Sequence, residues 1–284
     1  MNSAEKRRLE AIACRLRIGI IEGTYHAKSG HPGGSLSSAD LLTYLYFKEL
    51  DIRPEEPNWP DRDRFILSKG HAAPVLYAAL AERGYFPVED LKTLRHVGSH
   101  LQGHPSMAST PGVDMSTGSL GQGISTAVGM ALAGKLGKKD YRVYTLCGDG
   151  EIQEGQVWEA LMSAAHFGLD NFVAIIDFNG LQIDGRVTDV MNPEPLDKKL
   201  EAFGLFTQVI DGHDFDEIES ALDRAKLEKS RPSAIIMNTV KGRGVSFMED
   251  NAGWHGKGPG AEEYERAMNE LRGKLRRLSG GEAE

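Results

Sequence analysis

The sequence predicts an α/β fold: one three-layer domain built on a mostly parallel sheet. Two apolar runs carry the prediction. Residues 143–147 run into Gly148-Asp149-Gly150, and residues 172–178 run into Asn179-Gly180. Between them Val157, Trp158, Leu161, Met162 and Ala165 recur at helical spacing over residues 154–168. Strand, helix, strand in that order gives two parallel strands joined by a right-handed crossover. Asp149 and Asn179 then leave the sheet at the same carboxyl edge, where open α/β sheets hold their ligands.

From the amino end, residues 4–25 place Leu9, Ile12, Ala13, Leu16 and Ile20 on one stripe of an amphipathic helix. Residues 29–34 are too rich in Gly and Pro for anything but a loop. Ser37 with Asp40 reads as a capping box for a helix through Glu49. Residues 51–63 hold three prolines and form a surface connection, residues 64–67 a short strand, and residues 71–83 a helix. Residues 96–118, carrying His96, His100 and His104, form a loop long enough to be functional. Residues 121–135 are a Gly- and Ala-rich helix with Ile124, Ala127, Val128, Ala131 and Leu132 inward, a candidate interface. Further strands follow at 207–210 and 233–240, flanking a helix over 214–228 capped by Asp214 with Glu217. A Gly-rich loop over 241–260 and a helix over 262–277 complete the order. Nothing repeats and no linker divides the chain, so residues 1–284 read as a single domain, with an ordered core over 1–278 and a frayed tail over 279–284.

Composition narrows the function. The formal charge of −8 and a pI near 5.7 exclude a nucleic-acid surface, which needs a basic face. Lys6-Arg7-Arg8 is flanked by Glu5 and Glu10 and reads as a solvated helix face. No stretch approaches eighteen apolar residues, which excludes a membrane helix, and the amino end lacks a signal-peptide run. Two cysteines make no disulfide framework and fit a reducing compartment, so a cytoplasmic protein is expected.

Asp149 and Asn179 offer two short oxygen ligands at one sheet edge, a set that suits a hard cation such as Mg²⁺. Gly150 lets backbone N–H groups approach a phosphate beside the positive end of the following helix. Alone, Gly148-Asp149-Gly150 reads as a turn ahead of a site, and the second strand with Asn179 in register reverses that balance. His31, His71, His104 and His255 each adjoin glycine in loops, and imidazoles there can exchange protons near neutrality and bond sugar hydroxyls. Their spacing is not that of a zinc site. Residues 129–135 are nearly a phosphate-binding loop, but Leu136 stands where Ser or Thr is needed and the stretch lies inside a helix.

Taken with their surroundings, these residues make the chain resemble transketolase. The matching pieces are Ser29-Gly30-His31-Pro32-Gly33, Ser68-Lys69-Gly70-His71, Gly103-His104-Pro105, Gly118-Ser119-Leu120-Gly121-Gln122-Gly123, Gly148-Asp149-Gly150-Glu151 onward to Gly155, and Trp254-His255-Gly256. They run in the family's order through most of the chain. Gly180 stands where many thiamine enzymes have a second Asn, and Ser119 where transketolases usually have Pro.

The resemblance implies a thiamine diphosphate-binding fold and two-carbon ketol transfer from a ketose phosphate to an aldose phosphate. It implies that Asp149, Asn179 and the Leu181 carbonyl hold Mg²⁺ or Ca²⁺, with Gly150 against the diphosphate. Gly118 and Leu120 would touch the aminopyrimidine, and Ile183 would line the cofactor pocket. His31 and His255 would contact the donor sugar and move protons; His71 and His104 would contact the diphosphate or substrate hydroxyls. Glu154 resembles an acid coupling two cofactor sites across a dimer, and reads equally as a helix N-terminal acid. The family's activating glutamate and phosphate-binding residues belong to a second domain. The chain is therefore expected to be the N-terminal subunit of a split transketolase, an α2β2 heterotetramer with a C-terminal subunit. The alternatives are another thiamine enzyme (2-oxoacid dehydrogenase, deoxyxylulose-phosphate or dihydroxyacetone synthase) and a non-catalytic cofactor-binding subunit. The sugars, central pentose phosphates or a specialised pathway, stay open.

Overall fold

A computed structural model describes residues 1–280. The part of the expected tail from residue 281 onward lies outside the described residues. Five parallel strands form the sheet in the order β1-β2-β3-β7-β6: β1 Arg64–Leu67, β2 Val143–Gly148, β3 Phe172–Phe178, β6 Phe206–Asp211 and β7 Ser233–Asn238. Alternate residues face opposite sides, as strand geometry requires. Phe65, Leu67, Val173 and Ile175 join one core, with helices α1 Ser3–His26, α3 Ala39–Tyr44, α4 Ala73–Arg83, α9 Phe215–Leu227 and α10 Ala261–Leu278. Ile66, Phe172, Ala174 and Ile176 join the other, with α5 Gln122–Leu136, α6 Gly155–His166 and α8 Leu196–Ala202. That is the expected three-layer arrangement. Among the described residues no helix is long and apolar enough to cross a membrane.

Several local expectations are corrected. Residues 29–34 are not loop throughout, because a helix α2, Pro32–Leu36, begins there with Pro at its first position. The Ser37–Asp40 capping box does not form. Ser37 Oγ donates instead to Gly34 O (3.1 Å) and Asp177 Oδ2 (2.7 Å), while Asp40 Oδ2 accepts from Arg17 Nη2 at 2.6 Å and faces His213 Nδ1 at 2.8 Å. Buried polar partners outcompete the local cap, and α3 runs on into a π turn over Leu45–Glu49. Asp214 caps α9 through Asp216 N, but Glu217 reaches Asp211 N rather than closing a box. Met162 points outward, 60% exposed. The hairpin of β4 Leu181–Gln182 and β5 Gly185–Arg186, the helix α7 Val187–Met191 and α8 carry too short a periodicity to have been anticipated.

Candidate active site

Parallel strands deliver their carboxyl ends to one edge. Lys69 and His71 follow β1, Asp149 follows β2, Asn179 follows β3 and Lys241 follows β7. They line one cavity of about 390 Å³ together with His31, His255, Gly118, Leu120, Gly150, Glu154, Leu181 and Ile183. His104 does not line it. Its ring lies against Gly118, where an added Cβ would come within 3.2 Å of His104 Cγ. Glu154 is exposed at the start of α6 and makes no side-chain cap bond.

Asp149 is 3% exposed, and its carboxylate accepts only from the backbone N–H groups of Gly150 (2.8 Å) and Gly180 (2.6 Å). Burial, reinforced by Asp177, pushes its pKa up to about 7. A carboxylate so short of positive charge suits a cation. Asn179 Oδ1 accepts from Leu181 N at 3.1 Å, and Leu181 O accepts from Lys241 Nζ at 3.0 Å, so both expected partner oxygens lie on the same turn. One carboxylate, one amide oxygen and one main-chain carbonyl form a hard-cation set. Among the described residues no group of three or more His, Cys, Asp or Glu side chains is placed to hold a metal, so an ion here needs the amide and main-chain oxygens.

In the same cavity, linked to Leu181 O through Lys241, three imidazoles pack together. Ring centroids are 5.1 Å apart for His31–His71, 5.3 Å for His31–His255 and 5.2 Å for His71–His255. Burial first, then neighbouring cations, pushes His31 down to about 4, His255 to about 3 and His71 to about 2. All three are neutral at physiological pH, each with one ring N–H to donate and one lone pair to accept. His31 Nδ1 is buried with no protein partner. Lys241 Nζ lies 2.9 Å from His255 Nδ1; with the lysine donating, the ring proton sits on Nε2.

The model of the family described as "Transketolase, thiamine diphosphate binding domain" matches residues 9–274. The chain belongs to this family. An apulose-4-phosphate transketolase subunit from Phocaeicola vulgatus is 41% identical over 270 residues, covering 95% of this chain and 96% of that one. The 6-deoxy-6-sulfo-D-fructose transketolase subunit SqwG of Clostridium sp. is 50% identical over 242 residues, covering 85% and 88%. The crystal structure of Campylobacter jejuni transketolase superposes with a TM-score of 0.86 at 34% identity, covering 98% of this chain and 46% of that one. This transketolase-family chain thus spans nearly the whole of the subunit relatives but less than half of the full-length transketolase.

Several side chains that shape the transketolase-type site were not singled out from sequence. Asp177 accepts from Ser37 Oγ (2.7 Å), Lys69 Nζ (2.5 Å), Asn179 Nδ2 (3.0 Å) and Thr239 Oγ1. Its hold on Nδ2 sets the direction of the Asn179 amide. Glu151 accepts from Ser68 Oγ (2.6 Å), Gly121 N (2.9 Å) and Gly148 N (3.0 Å), fastening the ends of β1 and β2 to the turn that opens α5. For Asp177 the available signal was an acid inside an otherwise apolar strand, since an unpaired charge is almost never fully buried.

Proposed function

We propose that this chain is the thiamine diphosphate-binding subunit of a two-chain transketolase, active with a C-terminal subunit in an α2β2 assembly and working in the cytoplasm as one folded domain. Asp149, Asn179 and the Leu181 carbonyl would hold Mg²⁺ or Ca²⁺, with Gly150 and His71 toward the diphosphate and Gly118, Leu120 and Ile183 around the cofactor rings. When bound, the cofactor supplies the nucleophilic carbon that accepts the two-carbon ketol unit. The chain's own residues bind and orient. His31 and His255, held neutral by burial, exchange protons with the donor sugar's oxygens, and His104 contacts its hydroxyls. Glu154, exposed at the start of α6, would couple two cofactor sites across the assembly.

The observation that carries this reading is the cluster of three neutral imidazoles sharing one cavity with an under-compensated carboxylate. The substrates are phosphorylated or sulfonated sugars, in line with the relatives named for apulose 4-phosphate and 6-deoxy-6-sulfofructose. The test is reconstitution. Ketol transfer should appear on mixing the purified chain with its C-terminal subunit, thiamine diphosphate and Mg²⁺, and be absent with either chain alone. In that complex His31→Ala should lower kcat about 10²–10⁴-fold. Unchanged turnover would point to a passive cofactor-binding role.

A further inference from the structure

Arg95 occupies an unusual place beside the site. Its backbone is left-handed (φ 62°), a conformation rare for a non-glycine residue, and its N–H closes a short loop onto Leu101 O at 2.8 Å. The side chain bridges the two loops that carry His31 and His104. Nη1 donates to Ser29 Oγ at 3.0 Å, two residues before His31. The guanidinium packs over Gly103, next to His104, where an added Cβ would meet Nε at 3.1 Å and Cζ at 3.2 Å. A side chain at 103 would push it away.

The fork is largely unused. Among the described residues Arg95 has no carboxylate within ion-pair distance, and only one of its five N–H donors has a partner. Many other arginines are satisfied internally, as Arg17 is by Asp40 and Arg62 by Asp114. The other cations near the site are committed: Lys69 is tied to Asp177, and Lys241 to Leu181 O and His255. Arg95 is also exposed and stands just outside the cavity lining, fixed beside it by Ser29 on the His31 loop and by its packing over Gly103 next to His104. An exposed planar guanidinium with free donors is suited to a tetrahedral oxyanion.

We propose that Arg95 is this chain's specificity-determining residue for the anionic end of the sugar, a phosphate or sulfonate remote from the reacting carbonyl. The inference rests on the ketol-transfer reading. It assigns to this chain part of a recognition that the sequence resemblance places wholly on the C-terminal partner.

The test uses the reconstituted complex with three donors: D-fructose 6-phosphate, 6-deoxy-6-sulfo-D-fructose and the neutral ketose L-erythrulose. Arg95→Ala should raise KM for the anionic donors on the order of ten- to a hundredfold and leave kcat/KM for L-erythrulose within about twofold. Arg95→Lys should recover part of the loss. A larger effect on the phosphate than on the sulfonate, or the reverse, identifies which oxyanion the site is built for. Equal losses on charged and neutral donors would reduce Arg95 to a structural clamp and overturn the proposal, as would no loss at all. Equilibrium binding of fructose 6-phosphate to wild-type and Arg95→Ala complexes tests the contact without turnover. Weaker binding to the variant supports it even if the pair proves inactive, an outcome that would count only against ketol transfer.

Discussion

Asp177 Oδ2 lies 2.5 Å from Lys69 Nζ, and neither side chain is more than 2% exposed. This ion pair lies at the cavity wall, which Lys69 lines, and Asp177 holds Asn179 by its amide nitrogen. Asp177→Ala leaves an uncompensated buried ammonium and should cost about 3–5 kcal/mol in urea unfolding of the free chain. Thr239→Val removes one donor to the same carboxylate and should cost about 1 kcal/mol. Both should weaken cofactor binding through Asn179, a member of the proposed metal set, and Asp177→Ala more.

Asp149→Asn deletes the carboxylate of the proposed metal set. Calorimetric titration with thiamine diphosphate and Mg²⁺ should show at least about a tenfold loss of affinity, the scale seen even for metal-site support residues. Chelating the metal from the wild-type chain should produce a loss of the same size. Affinity that survives both treatments would exclude an ion at Asp149.

The three buried imidazoles give the free chain a pH dependence. Their folded pKa values lie below the ordinary 6.5, so the unfolded chain binds protons first as pH falls. Stability contributed by the neutral rings is present above pH 6.5 and is lost progressively as pH falls, down to about 4 for His31, 3 for His255 and 2 for His71. Asp149 has the opposite sign, because its raised pKa makes the folded chain the better proton binder between about 4 and 7. His71→Gln should therefore shrink the loss of unfolding free energy between pH 7 and pH 5, measured against wild type in denaturant titrations. An identical loss in the variant would contradict a neutral buried His71.

Glu151→Ala orphans the N–H groups of Gly121 and Gly148. A cost of about 2–4 kcal/mol is expected. Amide exchange should quicken at both glycines, and cofactor binding should weaken because Gly118 and Leu120, proposed to line the cofactor rings, share the loosened loop.

The fold was legible because its strands are continuous apolar runs punctuated by glycine. The core position of Cys147, the placement of Asp149 and Asn179 at one edge and the order of helices all follow from periodicity and chain direction. The site was legible as a set of residue types in loops, but not as a geometry. Nothing local distinguishes His104, which packs on Gly118 beside the cavity, from His31, His71 and His255, whose rings meet. Glu151 and Ser68 are 83 positions apart and Lys69 and Asp177 are 108 apart, so their partnership exists only once the sheet is assembled. The same long-range partners took Ser37 and Asp40 from the helix cap they could have made. By itself the sequence determined the parallel sheet, the edge where its loops gather and the chemical types gathered there, since these depend on local pattern and handedness. Only the tertiary structure decided which imidazoles touch, which carboxylates are paired and which is left short of charge, because burial and electrostatics are set by neighbours distant in the chain.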